Sequence, residues 1–353
     1  MLNQSWWKIL AVVLLMYTIF AGLLFPLKPG ILDVEPASAR TGEQLKLEVI
    51  GYNSFYEKGK DSMRVWLKLD DERAMLARQV EVWDNRRLQA VFQVPEYLPV
   101  DRRVQEFDLL VDNEYDGAVV LPSAVFVTQD SIDPAMGKQV WQNDPVTQLH
   151  PDRGVTFPFR NILYESIRNQ YFHVPLWFAM IFLFLGSVTY SIRYLRGYRA
   201  DDDQRAVALT RIGILFGVLG LITGAIWAKF TWGAFWSWDV KQNMTAVALL
   251  IYFAYFVLRS AFEDPEKQAR ISAVYNIFAF VALIPLIYVI PRMTDSLHPG
   301  AGGNPAFSRD DLDNTMRMVF YPAVIGWTLL GYWMASLAYR YVRLQSRWLG
   351  LTD

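Results

Sequence analysis

Within eight residues, Trp232-Gly-Ala-Phe235-Trp236-Ser-Trp238-Asp239 sets three indoles, a phenyl ring and a carboxylate side by side. Rings of this size are amphipathic and favoured where hydrocarbon meets water. So many together make a broad apolar shelf, suited to a large planar ligand rather than to a small polar substrate. Lys229, Lys241, Gln242 and Asn243 flank the shelf. The chain has no cysteine, which excludes disulfides, thiol redox chemistry, thiolate-held iron–sulfur clusters and covalent haem attachment through CxxCH. Metal ligation by nitrogen then falls to three histidines, His150, His173 and His298. His173 stands in Tyr171-Phe-His-Val-Pro-Leu-Trp177 and His298 in Thr294-Asp-Ser-Leu-His-Pro-Gly300.

The elements that must position these residues are apolar and long. Of 353 residues 53% are hydrophobic and 15% aromatic, too apolar for an ordinary soluble chain of this length. Six segments approach the length a bilayer demands: Trp7–Leu27, Val174–Tyr194, Ala206–Trp227, Met244–Leu258, Ala273–Ile290 and Met318–Tyr339. The first resembles a secretory signal, but Phe20-Ala-Gly-Leu-Leu-Phe-Pro26 is a poor cleavage site, so a retained anchor is expected. Arg193, Arg196, Arg199, Arg205 and Arg211 crowd the connection between spans two and three. Arg259, Lys267 and Arg270 lie between spans four and five, and Arg340, Arg343 and Arg347 follow span six. The positive-inside rule makes those regions cytoplasmic and puts residues 28–172, the Trp-rich loop and the His298 loop together outside. A net charge of -1 offers nothing to nucleic acid.

Two imidazoles and an aromatic shelf at one membrane face are the parts needed to hold haem: nitrogens for the axial positions, rings for the porphyrin, and cations such as Lys241, Arg292 and Arg317 for the propionates. Each part also has a plainer role. A histidine at a helix end serves as an interfacial polar group, Trp6, Trp7 and Trp141 serve as anchors, and loop cations are solvated. Asp239 is placed to cap the helix that follows it while fixing the loop. His150, in the turn His150-Pro-Asp-Arg-Gly, is expected to face water.

Residues 29–128 are of another kind. Gln44–Ile50, Met63–Leu69, Leu88–Val94 and Glu106–Val111 largely alternate polar with apolar, and turn-forming clusters separate them. Half-buried antiparallel strands read this way, which predicts a small β-sandwich. Ile31–Gly42, followed by a strand, resembles the start of an immunoglobulin-like module. Residues 129–172 read as a connector with an amphipathic surface helix over Arg160–Arg168. The expected fold is thus a polytopic α-helical membrane protein with six transmembrane helices and an inserted extracytoplasmic all-β, immunoglobulin-like sandwich. Its parts are the anchor (1–28), the β-domain (29–128), the connector (129–172), a five-helix membrane domain (173–345) and a cytoplasmic tail (346–353).

The shelf is similar to the tryptophan-rich "WWD" signature of haem-handling proteins. Phe172-His-Val-Pro175 and Ser296-Leu-His-Pro299 resemble the two histidine segments of the cytochrome c maturation protein C family. The resemblance covers about residues 171–345, with the shelf between spans three and four as in that family. Phe235 stands where the family often has Trp, and the β-domain replaces a short connection. The resemblance implies that His173 and His298 ligate a non-covalent haem b at the outer face, and that Trp232, Phe235, Trp236, Trp238 and Asp239 form its platform. It further implies hand-over to a periplasmic haem chaperone, assisted by an ABC-type transporter complex and a small membrane subunit, in a bacterial inner membrane. A haem lyase acting on apocytochrome c is the second reading, although related lyases have more spans and more histidines. A quinol-oxidising cytochrome b needs histidines inside its spans. A cofactor-free assembly protein would leave the Trp–Asp cluster unexplained.

Overall fold

A computed structural model describes residues 5–152, 154–161, 163–298 and 312–348. Arg153, Pro299, Gly300, the Arg347 side chain and the tail beyond Trp348 lie outside the described residues. Two units divide the chain, one of residues 26–164 and the other of residues 1–25 with 165–353.

In the first unit, alternation writes the strands. Leu45, Leu47 and Val49 of β3 (Gln44–Tyr52) are buried, while Gln44, Lys46 and Glu48 turn outward. One sheet runs β1 (Gly30–Glu35), β3, β7 (Arg87–Gln93), β6 (Gln79–Val82), with all neighbours antiparallel. The second runs β2 (Ser38–Arg40), β9 (Gly117–Thr128), β8 (Val104–Asn113), β4 (Arg64–Lys68), β5 (Ala74–Leu76), and only the β2–β9 pair is parallel. Both sheets feed one apolar core, Leu47, Val49 and Phe92 from the first and Leu67, Phe107 and Val125 from the second. Two short helices, α2 (Tyr56–Gly59) and α3 (Pro134–Val140), complete this unit, and Asp133 caps α3 by accepting from the amides of Ala135 and Met136. The four strands expected from alternation are present as β3, β4, β7 and β8.

His150 is only partly exposed and is paired with an acid. Its ring Nδ1 lies 2.9 Å from Asp112, its amide donates to the same carboxylate at 2.8 Å, and Arg64 adds a third contact at 2.5 Å. Asp112 is fully buried, and a buried carboxylate requires such partners. The surface helix expected over Arg160–Arg168 is a 3-10 turn, Tyr164–Tyr171, with Ile167 and Tyr171 buried.

The second unit holds, among the described residues, six helical segments long and apolar enough to cross a membrane. They are α1 (Trp6–Leu24), α4 (His173–Gly197) with the 3-10 turn before it, α5 (Ala200–Trp232), α6 (Val240–Ser260), the α7 run and α9 (Asn314–Trp348). The α7 run breaks: α7 (Pro265–Ile284) widens to a π-helical turn at Pro285–Val289 before α8 (Ile290–Met293). Leu183 and Phe184 of α4, Ile212 and Phe216 of α5, Tyr252 of α6 and Leu283 of α7 form the core, with Phe184 stacked on Tyr252 at 3.6 Å. At the opposite end from His173 along α4, acids at the start of α5 meet the basic residues noted above. Arg259 grips Asp203 through two bonds of 2.8 and 2.6 Å, Arg205 bonds Asp201 at 2.8 Å and Arg193 lies 3.2 Å from Asp202. Three acids in the first turn of α5 also complement its helix dipole.

Candidate functional site

The site lies where four helix ends meet: the start of α4, the end of α5, the start of α6 and the segment after α8. Asp239 organises it. As N-cap of α6 it accepts from the Lys241 amide at 2.9 Å, as expected of an acid at a helix N-terminus. The same carboxylate accepts from the Leu297 amide at 2.8 Å, from the Ser296 hydroxyl at 2.9 Å and from Nδ1 of His298 at 2.8 Å. One buried side chain therefore ties the segment after α8 to the start of α6. Burial raises the Asp239 carboxyl, yet the Leu297 amide and Ser296 hydroxyl, with the remaining donors, outweigh it and hold it below the usual carboxylate value. An ionised carboxylate only accepts, so the His298 proton sits on Nδ1 and its lone pair on Nε2, at the far side of the ring. Burial and the Lys241 ammonium push His298 down to about 4 against the pull of Asp239, so the imidazole is neutral. Histidines that ligate metals commonly donate their other ring N–H to a carboxylate in this way.

Rings close around His298. Trp232 meets it edge-on at 4.7 Å, and Trp227 stands 5.1 Å from Trp232 and 6.3 Å from His298. The rest of the shelf is held by the first turn of α6. Gln242 accepts from the Ser237 amide and hydroxyl at 3.0 and 3.1 Å, and Asn243 donates to the Trp238 carbonyl at 2.7 Å. Trp238 has a φ of +59°, a left-handed backbone that a bulky residue adopts only when its surroundings impose it. Its ring is 78% exposed and that of Phe235 58%, while Trp236 is half-buried. Phe235 and Trp238 thus present open apolar faces, whereas Trp232 is committed to His298.

His173 occupies the first position of α4. Its Nδ1 lies 3.1 Å from the Thr223 hydroxyl, and Trp177, one turn on, donates its indole N–H to Nε2 at 3.2 Å. Two glycines of α5 make the room. A Cβ at Gly224 would stand 2.7 Å from Cε1 of His173, and one at Gly220 would stand 2.8 Å from the Trp177 ring. Lys241 acts electrostatically on both histidines, and His298 on His173. Arg292 acts in turn on Lys241. Arg317, on the first turn of α9, has a buried Nε with no hydrogen-bond partner among the described residues. Among the described residues there is no group of three or more His, Cys, Asp or Glu that could hold a metal ion.

Reading the sequence picked out both histidines, Asp239 and the shelf, but not Thr223, Trp177, Trp227 or Ser296. Trp177 carried a signal, since four residues along a helix is one turn from His173. Trp227 was taken only as the end of a span. Thr223 carried none, because its contact crosses between α4 and α5.

Six apolar helices long enough to cross a bilayer define a polytopic membrane protein, and the two ring-lined histidines at one end are its candidate site. The sequence profile described as "Heme exporter protein C" (CcmC) matches residues 160–349, and the chain belongs to that family. Three relatives bear the same description. That of Haemophilus influenzae is 27% identical over 179 residues, 50% of this chain and 71% of its own length. That of Paracoccus denitrificans is 26% identical over 181 residues, 51% and 73%. The Escherichia coli K12 protein is 24% identical over 182 residues, 52% and 70%.

Proposed function

We propose that this chain is a haem-delivery protein of cytochrome c maturation, not an enzyme, carrying non-covalent haem b as cargo at the outer face of a bacterial inner membrane. His173 and His298 serve as the axial ligands. The observation that carries the reading is the Asp239–His298 pair, which fixes a neutral imidazole beside Trp232 with its lone pair on Nε2. Iron in haem already has four nitrogens, so two histidines complete it and no larger donor cluster is needed.

The other residues take roles consistent with this chemistry. Trp232 orients His298, and Phe235, Trp236 and Trp238 cover the porphyrin with apolar surface. Lys241, which acts electrostatically on both imidazoles, is a propionate partner, with Arg292 and Arg317 further candidates. An open shelf suits release: rings that stand in solvent leave the cargo accessible to a receiver. That receiver is a periplasmic haem chaperone, with an ABC-type transporter complex and a small membrane subunit as partners. The unit of residues 26–164 is an immunoglobulin-like sandwich. Supporting this are its two sheets of four and five strands, their shared core and the parallel pairing of a short second strand with the last.

Trp238→Ala tests the platform. Its ring is 78% exposed, so truncation removes little packing, and the expected outcome is lower haem content in purified protein with normal membrane insertion. Unchanged haem content would remove Trp238 from the platform.

A further inference from the structure

The two histidines are not equally prepared. Among the described residues, no hydrogen bond engages Nε2 of His298, whereas both ring nitrogens of His173 are occupied. The tautomer of His173 follows from its partners. The Thr223 hydroxyl has one proton, which goes to a backbone carbonyl of its own helix, that of Leu219 at 2.9 Å or Gly220 at 3.0 Å. Thr223 therefore accepts from Nδ1–H of His173, and the lone pair on Nε2 accepts the indole N–H of Trp177. That lone pair is the one an iron would take. The contact is a built one, because Gly220 and Gly224 provide the space that lets the Trp177 and His173 rings lie against α5.

We propose that the Trp177 indole N–H is a gate on His173, occupying Nε2 until iron displaces it. Trp177 is a positioning residue in this scheme, and the inference rests on the reading of His173 as an axial ligand. It orders the events. Cargo engages His298 first, because no such donor among the described residues meets its Nε2, and His173 second, at the expense of the Trp177 bond. Release runs in reverse, and the returning indole N–H competes for His173 as the iron leaves. A relay needs such a competitor, since a site with two open imidazoles would hold its cargo too firmly.

The test uses the full-length protein in detergent. Trp177→Phe keeps a smaller ring facing Gly220 and removes the donor together with part of the indole. It should bind ferric haem about fivefold more tightly, the worth of one neutral hydrogen bond. Thr223→Val should act in the opposite direction, because Nδ1–H loses its acceptor. General damage to the α4–α5 contact would weaken binding in both variants, so opposite signs mark the gate. His173→Ala separates the two claims. If it leaves the axial-ligand spectrum unchanged, His173 is not a ligand and the gate falls with it. If it alters that spectrum while Trp177→Phe binds no more tightly than wild type, the ligand stands and the gate alone is overturned. A haem-free readout completes the test. In protein labelled with 15N at tryptophan, the Trp177 indole proton should lie downfield and move upfield in His173→Ala, and no movement would overturn the gate.

Discussion

Replacing Asp239 by asparagine changes one atom and one charge at the centre of the site. The carboxylate receives the Lys241 amide and His298 Nδ1 on one oxygen, and the Leu297 amide and the nearer Ser296 bond on the other. An asparagine side chain retains one acceptor and turns its other end into a donor. With its oxygen toward His298, the NH2 group opposes the Leu297 amide. With its oxygen toward Leu297, it opposes Nδ1–H of His298. Either way the two donors on one oxygen lose their charge-assisted bonds and the two on the other keep neutral ones. A bond to a charged group contributes about 1.5–3 kcal/mol and a neutral one about 1 kcal/mol. In the orientation that opposes Nδ1–H, His298 itself loses one charge-assisted bond, about 2 kcal/mol or about thirtyfold in affinity, within the 10–100-fold range for partners that stand behind a metal ligand. His298 is already neutral, so the change acts through its orientation and not its protonation. The assay is haem titration of detergent-purified Asp239→Asn at pH 7, followed in the Soret band, with circular dichroism to confirm intact helices. Binding within twofold of wild type would refute the reasoning, since it would mean that Asp239 does not hold His298 for ligation.

Gly224→Ala places a methyl 2.7 Å from Cε1 of His173. The ring must move and the Thr223 bond should break, leaving a donor unpaired at a cost of about 1–3 kcal/mol; weaker haem binding in a Soret titration, with a lowered melting temperature, is expected. Acidification gives a prediction of definite sign. His298 is lowered from its usual 6.5 to about 4. Between those values the unfolded chain binds more protons than the folded one, so this contribution to stability is present above about 6.5 and lost as pH falls through about 4. Ligation by His298 should likewise persist to about pH 5; Soret titration of the loaded protein showing loss with a midpoint near 6.5 would contradict this.

Long apolar runs made the six spans legible, because a bilayer sets their length regardless of how the helices pack. Alternation made β3, β4, β7 and β8 legible for a similar reason: a strand with one face in a core must alternate. The short strands β2 and β5, at three residues each, carry too few positions for a pattern to emerge. Within the site, Asp239 as a helix cap was readable from its place before α6. Its grip on Ser296 and His298, nearly sixty residues on, was not. His150 looked solvent-facing because a polar turn surrounds it. Its actual partner, Asp112, lies in β8, where alternation gives no hint that a charged residue points inward. The break of the fifth span at Pro285 had a visible cause in the proline, but a span reading ignores it.

The central claim is that His173 and His298 jointly ligate haem, and an absorption spectrum addresses it most directly. Detergent-purified wild type from cells supplied with haem precursor should show a Soret band, and the His173→Ala/His298→Ala double variant should lose or shift it while retaining its helical content. A wild type without a Soret band, or a double variant with an unaltered one, would contradict the account.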